Sequence, residues 1–288
     1  MSDTVFDDSR TRPFLVIVDY HMHLREHEDG EPATYSADRV EEYVERARGA
    51  GVDEIGFTDH DFYFRQLREL WEIPWLAERG VDDLENYVGA VEEAKSRGLP
   101  VKLGLEVDYF SGIEAQLAEL LSEYPWDYLL GSVHFVDGFP VDGHPGLTDK
   151  LPAGEAWRRY FVWLRNAARS GLFDVLSHPD LVKIYGVRPP EDEIHYLHVE
   201  TADAIEAAGV CIEVSAAGLH KPVGELYPDR SFLEACRERG VPITLASDAH
   251  EPAHVGRDLD RAIELAREVG YETVTVFDAR ERRQEPLG

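Results

Sequence analysis

A chain of 288 residues, 43% hydrophobic and 10% aromatic, is long enough to bury a sizeable core as one large domain. Its formal net charge of −28 argues against nucleic acid as a partner, because phosphate binding needs a basic face that no Lys/Arg cluster supplies. No apolar run nears the roughly 20 residues of a membrane span, and MSDTVFDDSRTRP lacks a basic-then-apolar signal pattern, so the reading is a soluble cytoplasmic protein without a membrane partner.

Short β-rich runs alternate with amphipathic helical stretches. Strands are predicted at 14–20, 53–58, 100–107, 127–133, 172–177, 209–215 and 241–247, with a further one at 272–277. After the first, SADRVEEYVERARGAG reads as a helix: Ser36 caps it, Val40, Tyr43, Val44 and Ala47 make one apolar stripe, and Gly49 and Gly51 end it. DDLENYVGAVEEAKSRG repeats the design, and SGIEAQLAELLSEYP, GEAWRRYFVWLRNAARSG, VETADAIEAAG, SFLEACRERG and DLDRAIELAREVG follow. Repeated βα units predict an α/β fold with a parallel sheet, wound openly or closed into a barrel. Two excursions, 61–82 and 135–153, would lie over the mouth of such a barrel. No linker or repeat divides the chain, so a single domain over 1–288 is predicted, with its core at about 14–277 and polar termini at 1–12 and 279–288. Cys211 and Cys236 form no CxxC pair and read as small buried hydrophobes.

The polar residues at the predicted strand ends are not a random sample. The first strand ends in His21 and His23, which share a face because strand side chains alternate. The following ends supply His60 in IGFTDH, Glu106 in VKLGLEVD, His134 in YLLGSVH, His178 in FDVLSHP, Ser215 in CIEVSAAG, and Asp248 with His250 in PITLASDAH. Active-site groups of barrel folds gather at such C-terminal strand ends. One strand-end histidine is ordinarily a packed or hydrogen-bonding residue, and His144, His195, His198 and His254 are read as loop or helix surface residues. The ordered set is different. Imidazole with carboxylate suits Zn, Mn or Fe rather than Ca or Mg. Eight or more ligands are too many for one tetrahedral ion, and fit two or three ions sharing a bridging carboxylate.

HMH, TDH, GLEVD, GSVH, SHPD and SDAH, in that order, resemble the polymerase and histidinol phosphatase (PHP) family of metal-dependent phosphoesterases. GSVHF, SHPDLVK and AGLHKPVGELYP are most similar to its monofunctional histidinol-phosphatase branch. The resemblance implies a distorted seven-stranded (β/α) barrel, TIM-like, with a trinuclear centre at its C-terminal mouth. It implies a first ion on His21, His23, Glu106 and Asp248, and a second on His134 and His178 bridged by Glu106. A third would take His60, His250 and either His27 or Asp29, with His27 favoured. Phosphate would need basic groups as well, for which Arg65, Lys183 and Lys221 are candidates. His220-Lys221 stands where related sequences carry Arg-Lys, which leaves the role of His220 open.

The implied reaction is hydrolysis of a phosphomonoester, L-histidinol phosphate, in histidine biosynthesis. Glu106, Asp248 and His250 are the candidate catalytic residues, and Asp248, His250 or water would protonate the leaving group. No GxSxG elbow or CxxxxxR loop provides a covalent nucleophile. Asp137, Asp142 and Glu225 are candidates for pairing with the substrate amine. Three rival readings remain: another phosphomonoester (nucleotide, nucleoside bisphosphate or phosphotyrosine), a non-catalytic accessory module of a polymerase, and amidohydrolase-like C–N hydrolysis. The last would want a lysine on the fourth strand, which here ends in GSVH.

Overall fold

The fold is seen in a computed structural model, which describes residues 15–25, 31–71, 73–144 and 146–288. The predicted strand runs are present, most of them shortened: β1 (Val18–Asp19), β2 (Glu54–Phe57), β3 (Val101–Leu103), β4 (Glu106–Asp108), β5 (Leu130–Ser132), β6 (Val175–Leu176), β7 (Cys211–Ser215) and β8 (Ile243–Ala246). The predicted 100–107 strand is thus two short ones, interrupted at Gly104 and Leu105. β1, β2 and β3 form one parallel sheet, and β4, β5, β6, β7 and β8 a second.

Backbone hydrogen bonds join the two sheets at both seams. On one side Tyr20 N–H donates to the Leu245 carbonyl (3.0 Å) and His23 N–H to that of Ala249 (2.8 Å). On the other, Gly104 N–H reaches the Phe57 carbonyl (2.8 Å) and Glu106 N–H that of Asp59 (3.1 Å). With β3 and β4 sharing one position, seven parallel strand positions follow one another around a distorted ring. All point the same way, so their C-terminal ends, and whatever they carry, share one face.

The helices follow the apolar stripes read from the sequence: α1 (Ala37–Ala50), α2 (Pro74–Arg79), α3 (Leu84–Ser96), α4 (Glu114–Leu121), α5 (Ala153–Arg169), α6 (Glu191–Ala208), α7 (Arg230–Glu238) and α8 (Leu259–Val269). In α1, Ser36 accepts from Arg39 N–H, Gly51 ends the helix with φ of 76°, and Val40, Tyr43, Val44 and Ala47 are the buried face. Each large apolar side chain so buried contributes about 1.5–3 kcal/mol. On α6 the reading needs correction at His198, which is buried rather than exposed. It falls on the face of Ile194, Leu197, Thr201 and Ile205 and stacks on Phe232 of α7 at 4.7 Å. Both cysteines are free and buried, as expected.

The ring interior depends on two glycines. A Cβ on Gly56 would lie 2.1 Å from the Tyr128 hydroxyl, and one on Gly104 would lie 2.8 Å from its ring. Their absence lets Tyr128 cross toward β1, where it donates to the Tyr20 carbonyl at 2.7 Å and stacks on Tyr20. Phe277 packs on the same ring from β9 (Thr273–Asp278), the predicted 272–277 strand. That strand lies outside the parallel ring and pairs antiparallel with β10 (Glu281–Pro286). The polar C-terminal residues therefore form a strand, and Leu287 beyond them is buried. Among the described residues no helix is long and apolar enough to cross a membrane.

Candidate metal centre

The strand ends converge on Glu106. Its Oε2 lies 3.2 Å from His21 Nε2, 3.7 Å from His23 Nε2 and 2.8 Å from His60 Nδ1. Its Oε1 lies 3.4 Å from His134 Nε2 and 3.1 Å from His178 Nε2. One carboxylate therefore presents each oxygen to a different set of imidazoles. Asp248 Oδ1 completes the first set, 3.6 Å from His21 Nε2 and 3.2 Å from His23 Nε2. His60 and His250 flank the ring of His23, with centroids at 4.4 and 4.2 Å, and the three could share one ion. Further groups able to hold a metal are His21, Glu106 and His178; His21, His23 and Asp248; and His60, Glu106 and His134.

The local chain explains this convergence. Met22 pairs in parallel with Ala249 and turns its side chain into the core, which throws His21 and His23 together to the other face. His178 and Asp248 follow their strands with φ of 21° and 55°. Left-handed backbone at a non-glycine residue costs on the order of 1 kcal/mol and persists where the surroundings over-determine it. Two such residues sit in this cluster.

A second layer of carboxylates fixes the imidazoles. His21 Nδ1 donates to Glu213 Oε2 at 2.8 Å, and His134 Nδ1 to Asp108 Oδ1 at 2.8 Å. Glu213 Oε1 also accepts from His178 N–H at 3.1 Å. Asp59 accepts from the backbone of Leu24 and Arg25, and Ser132 Oγ donates to Glu106 Oε1 at 2.7 Å. A carboxylate on Nδ1 commits that nitrogen as donor and leaves Nε2 as a lone pair facing the centre. Sequence reading passed over Glu213, Asp108, Asp59 and Ser132. A signal existed: Glu213 is an acid in an otherwise apolar strand, and Asp108 lies at i+2 from Glu106, on the same face.

The electrostatics show how strongly the groups act on one another. Burial opposes charge on His134, yet Asp108 and Glu106 push it up to about 10. Burial likewise opposes charge on His21, yet Glu213 and Glu106 hold it well above the ordinary value. His23 goes well below, through burial and then the charges of His250 and His60. Burial would raise Glu106 and Asp248, but the surrounding histidines hold both well below the carboxylate range.

Do the residues fit metal ions? Among the described residues, His21 Nε2, His23 Nδ1, His60 Nδ1 and Glu106 Oε2 are buried without a hydrogen-bond partner. Three of these atoms lie within 3.2 Å of one another's charge partner, so the fault is alignment and not distance. His21 Nε2 and His60 Nδ1 both face Glu106 Oε2, while His23 Nδ1 faces Asp59 at 3.8 Å and its Nε2 is the atom turned to Glu106 and Asp248. Buried polar atoms in that arrangement are costly unless a cation answers them. The donor set, imidazole and carboxylate, fits transition-metal ions.

Other predicted residues sit differently. His27 and Asp29 lie outside the described residues. Ser215 is held to Tyr227 through backbone hydrogen bonds in both directions, at 2.6 and 3.0 Å. Arg65 is exposed and paired with Asp83. Lys183 is fully buried: its Nζ donates to the Leu226 carbonyl at 2.7 Å and pairs with Asp180 at 2.8 Å. It is an internal tie between two loops and not an open cation. His220 is paired with Asp258 at 2.7 Å and touches Arg257, and Lys221 beside it is exposed. Of the three acidic guesses, Asp137 pairs with Arg159 and Glu225 with Arg188.

A parallel α/β ring with a histidine–carboxylate cluster buried at its strand ends defines the class: an α/β protein with several groups able to bind metal. The PHP domain family matches residues 19–217, and the chain belongs to that family. A probable histidinol-phosphatase of Deinococcus radiodurans is 34% identical over 277 residues, which cover 94% of this chain and 99% of the relative. The histidinol-phosphatase of Lactococcus lactis subsp. lactis is 22% identical over 270 residues, 90% of this chain and 94% of the relative. The crystal structure of histidinol phosphate phosphatase from that organism, complexed with zinc, L-histidinol and phosphate, matches with a TM-score of 0.72 at 20% identity. The match covers 93% of this chain and 99% of that one, and shows a shared fold.

Proposed function

We propose that this chain is a metal-dependent phosphomonoesterase that hydrolyses L-histidinol phosphate to L-histidinol and phosphate. The observation that carries the chemistry is Glu106, whose two oxygens face separate histidine sets at 2.8–3.7 Å. A carboxylate so placed is built to bridge two cations. The substrate rests on the relatives of near-equal length that carry the histidinol-phosphatase name.

In this reading His21, His23 and Asp248 would hold one ion with Glu106, and His134 and His178 would hold a second. His60 and His250, with His27 or Asp29, would take a third. Zinc, manganese or iron suits the donors, and such ions would activate water and neutralise charge gathering on the phosphoryl oxygens. The chain's own part is orientation and proton handling. Glu213 and Asp108 lock the tautomers of His21 and His134. His250, the most exposed member of the cluster, is the candidate to pass a proton to the departing alcohol, with Asp248 beside it as the carboxylate that would hold the imidazole ready. Lys221 and His220, in the loop after β7, and Arg65, in the excursion after β2, are the phosphate-binding candidates. The whole chain is read as one cytoplasmic domain.

Elemental analysis beside steady-state kinetics tests the proposal. Two to three transition-metal ions per chain are expected, with kcat/KM for L-histidinol phosphate at least about tenfold above that for p-nitrophenyl phosphate, nucleotides or phosphotyrosine. Full activity in metal-stripped protein overturns the chemistry. A preference for nucleotides overturns the substrate alone.

A further inference from the structure

The buried tyrosines of this protein nearly all have a use for their hydroxyl. Tyr43 donates to the His23 carbonyl, Tyr87 to that of Gly104, Tyr128 to that of Tyr20, and Tyr20 to Glu54. Tyr160 serves His178 and Leu181. Two hydroxyls are buried without a partner among the described residues, those of Tyr227 and Tyr271. Tyr271 lies away from the centre, against the thiols of Cys236 and Cys211. Tyr227 lies at the metal centre. Its ring stands edge-on to His178 at 6.2 Å, and the charges of Asp180, Asp248 and Asp142 all bear on it.

Tyr227 is also held in place from several sides. An antiparallel bridge to Ser215 pins its backbone to the C-terminal end of β7. Lys183 Nζ holds the Leu226 carbonyl on one flank, and Asp180 Oδ2 accepts from Asp229 N–H at 2.8 Å on the other. The ammonium of Lys183 stands 5.3 Å from the Tyr227 ring centroid. Gly218 gives room for that ring, since a Cβ there would lie 2.9 Å from it. The residue is 1% exposed. A buried hydroxyl on a ring held this firmly beside His178, and left unpaired, costs free energy unless something arrives to accept its proton. His178 Nδ1 and Asp180 Oδ1 nearby are likewise buried without a partner, and neither bonds to this hydroxyl, whereas a phosphoryl group brings free acceptor oxygens to it.

We infer that Tyr227 is a substrate-contacting residue whose hydroxyl donates a hydrogen bond to a non-bridging phosphoryl oxygen, on the side of the centre formed by His178 and Asp248. The Lys183–Asp180 pair acts one step back, as the clamp that positions it. This inference rests on the phosphoesterase reading above but not on the identity of the alcohol, because the contact is to the phosphoryl group.

The test is Tyr227→Phe in the metal-loaded enzyme, which keeps the ring against His178 and Lys183 and removes the oxygen alone. Metal content is expected to stay at the wild-type value, and Tm to hold or rise, since a buried unpaired hydroxyl is lost. Affinity for inorganic phosphate, measured by calorimetric titration, should fall about tenfold, and kcat/KM should fall by about tenfold or more for L-histidinol phosphate and p-nitrophenyl phosphate alike. Unchanged phosphate affinity and kcat/KM in a variant with full metal content overturn the inference and leave the phosphoesterase standing. If the wild-type enzyme neither binds phosphate nor hydrolyses any monoester, the underlying reading fails and this one falls with it.

Discussion

Glu213 donates nothing and accepts twice: His21 Nδ1 at 2.8 Å through one oxygen and the backbone N–H of His178 at 3.1 Å through the other. One buried carboxylate on β7 thereby couples histidines from two other strands, on opposite sides of Glu106. Replacing it by glutamine keeps the shape, but an amide can accept at only one of the two positions. Glu213→Gln is expected to weaken metal binding by about tenfold or more, the usual cost of losing an outer carboxylate. Competition with a chelator, followed by elemental analysis, reads this directly. Wild-type retention in the variant would reduce Glu213 to packing.

Glu106→Gln carries a sharper expectation. An amide cannot present an anionic oxygen to both histidine sets, so occupancy should fall by more than one ion per chain, and kcat by roughly a hundredfold or more. His134→Ala removes a ligand on the Oε1 side alone, at 3.4 Å from Glu106. It should cost fewer ions than the glutamate variant. Equal metal loss in the two would argue against a bridge.

Two lysines of the same neighbourhood should separate by what they control. Lys183 is buried against Asp180, and Lys221 is exposed beside His220. Lys183→Met strands a buried carboxylate, at a cost of about 3 kcal/mol. Burial already raises Asp180 to about 6 despite the lysine beside it. A carboxyl raised in the fold stabilises least once deprotonated, so the Tm deficit of Lys183→Met should be larger at pH 8 than at pH 5. Lys221→Ala should instead leave Tm alone and raise KM, by about 1.5–3 kcal/mol of lost binding if it meets phosphate. A flat kinetic response would return Lys221 to the solvated surface.

Why was so much of the inner cluster legible, and so little around it? His21, His23, His60, Glu106, His134, His178, Asp248 and His250 stand at or just past the ends of β-rich runs, and a parallel ring brings such ends to one face whatever the exact strand lengths. That β1 pairs over two residues only does not move His21. Glu213 and Asp108 were missed because their role depends on which face of a strand looks inward, and runs buried on both faces do not display this by alternation. His198 was misjudged for a related reason: a polar residue on an apolar helix face looks like surface until Phe232 is seen stacked on it. The strand Glu281–Pro286 escaped notice because ERRQEP, largely exposed along β9, has no apolar alternation to announce it.

His198 offers a pH test well removed from the metal ligands. Burial, outweighing the nearby Asp229, lowers it from 6.5 to about 4. Between those values the unfolded chain binds a proton that the folded chain refuses. Its contribution is therefore complete above pH 6.5 and is lost as pH falls toward 4, by about 3 kcal/mol across the window. Asp19 and Asp59, raised by burial to about 6, change stability in the opposite direction over part of the same range. The informative quantity is consequently the difference between wild type and His198→Gln. Whatever the variant's stability at pH 7.5, the gap should shift in its favour by about that amount on acidification to pH 4. Parallel Tm curves across the window would contradict a neutral buried imidazole.

The strongly acidic chain bears on which alcohol is preferred. Histidinol phosphate carries an ammonium and an imidazole beside its phosphate, so the field of a −28 protein attracts one end while cations at the strand ends would take the other. Nucleotides bring only anionic groups and meet the field unassisted. Of the acids considered for the ammonium, Asp137 and Glu225 are already paired with arginines. Asp142 is exposed on the segment after His134, and its charge helps to raise both His134 and Tyr227, which makes it the remaining candidate. Asp142→Asn should raise KM for L-histidinol phosphate by roughly tenfold, the lower end for a charged hydrogen bond, with kcat little changed. The same variant should handle p-nitrophenyl phosphate, which lacks the ammonium, as wild type does or slightly better. Added salt should narrow the difference between the two substrates, because screening weakens the long-range part of the attraction. A KM change equal for both substrates would mean that Asp142 acts on the phosphate end or on the metal ligands, and that the amine is recognised elsewhere.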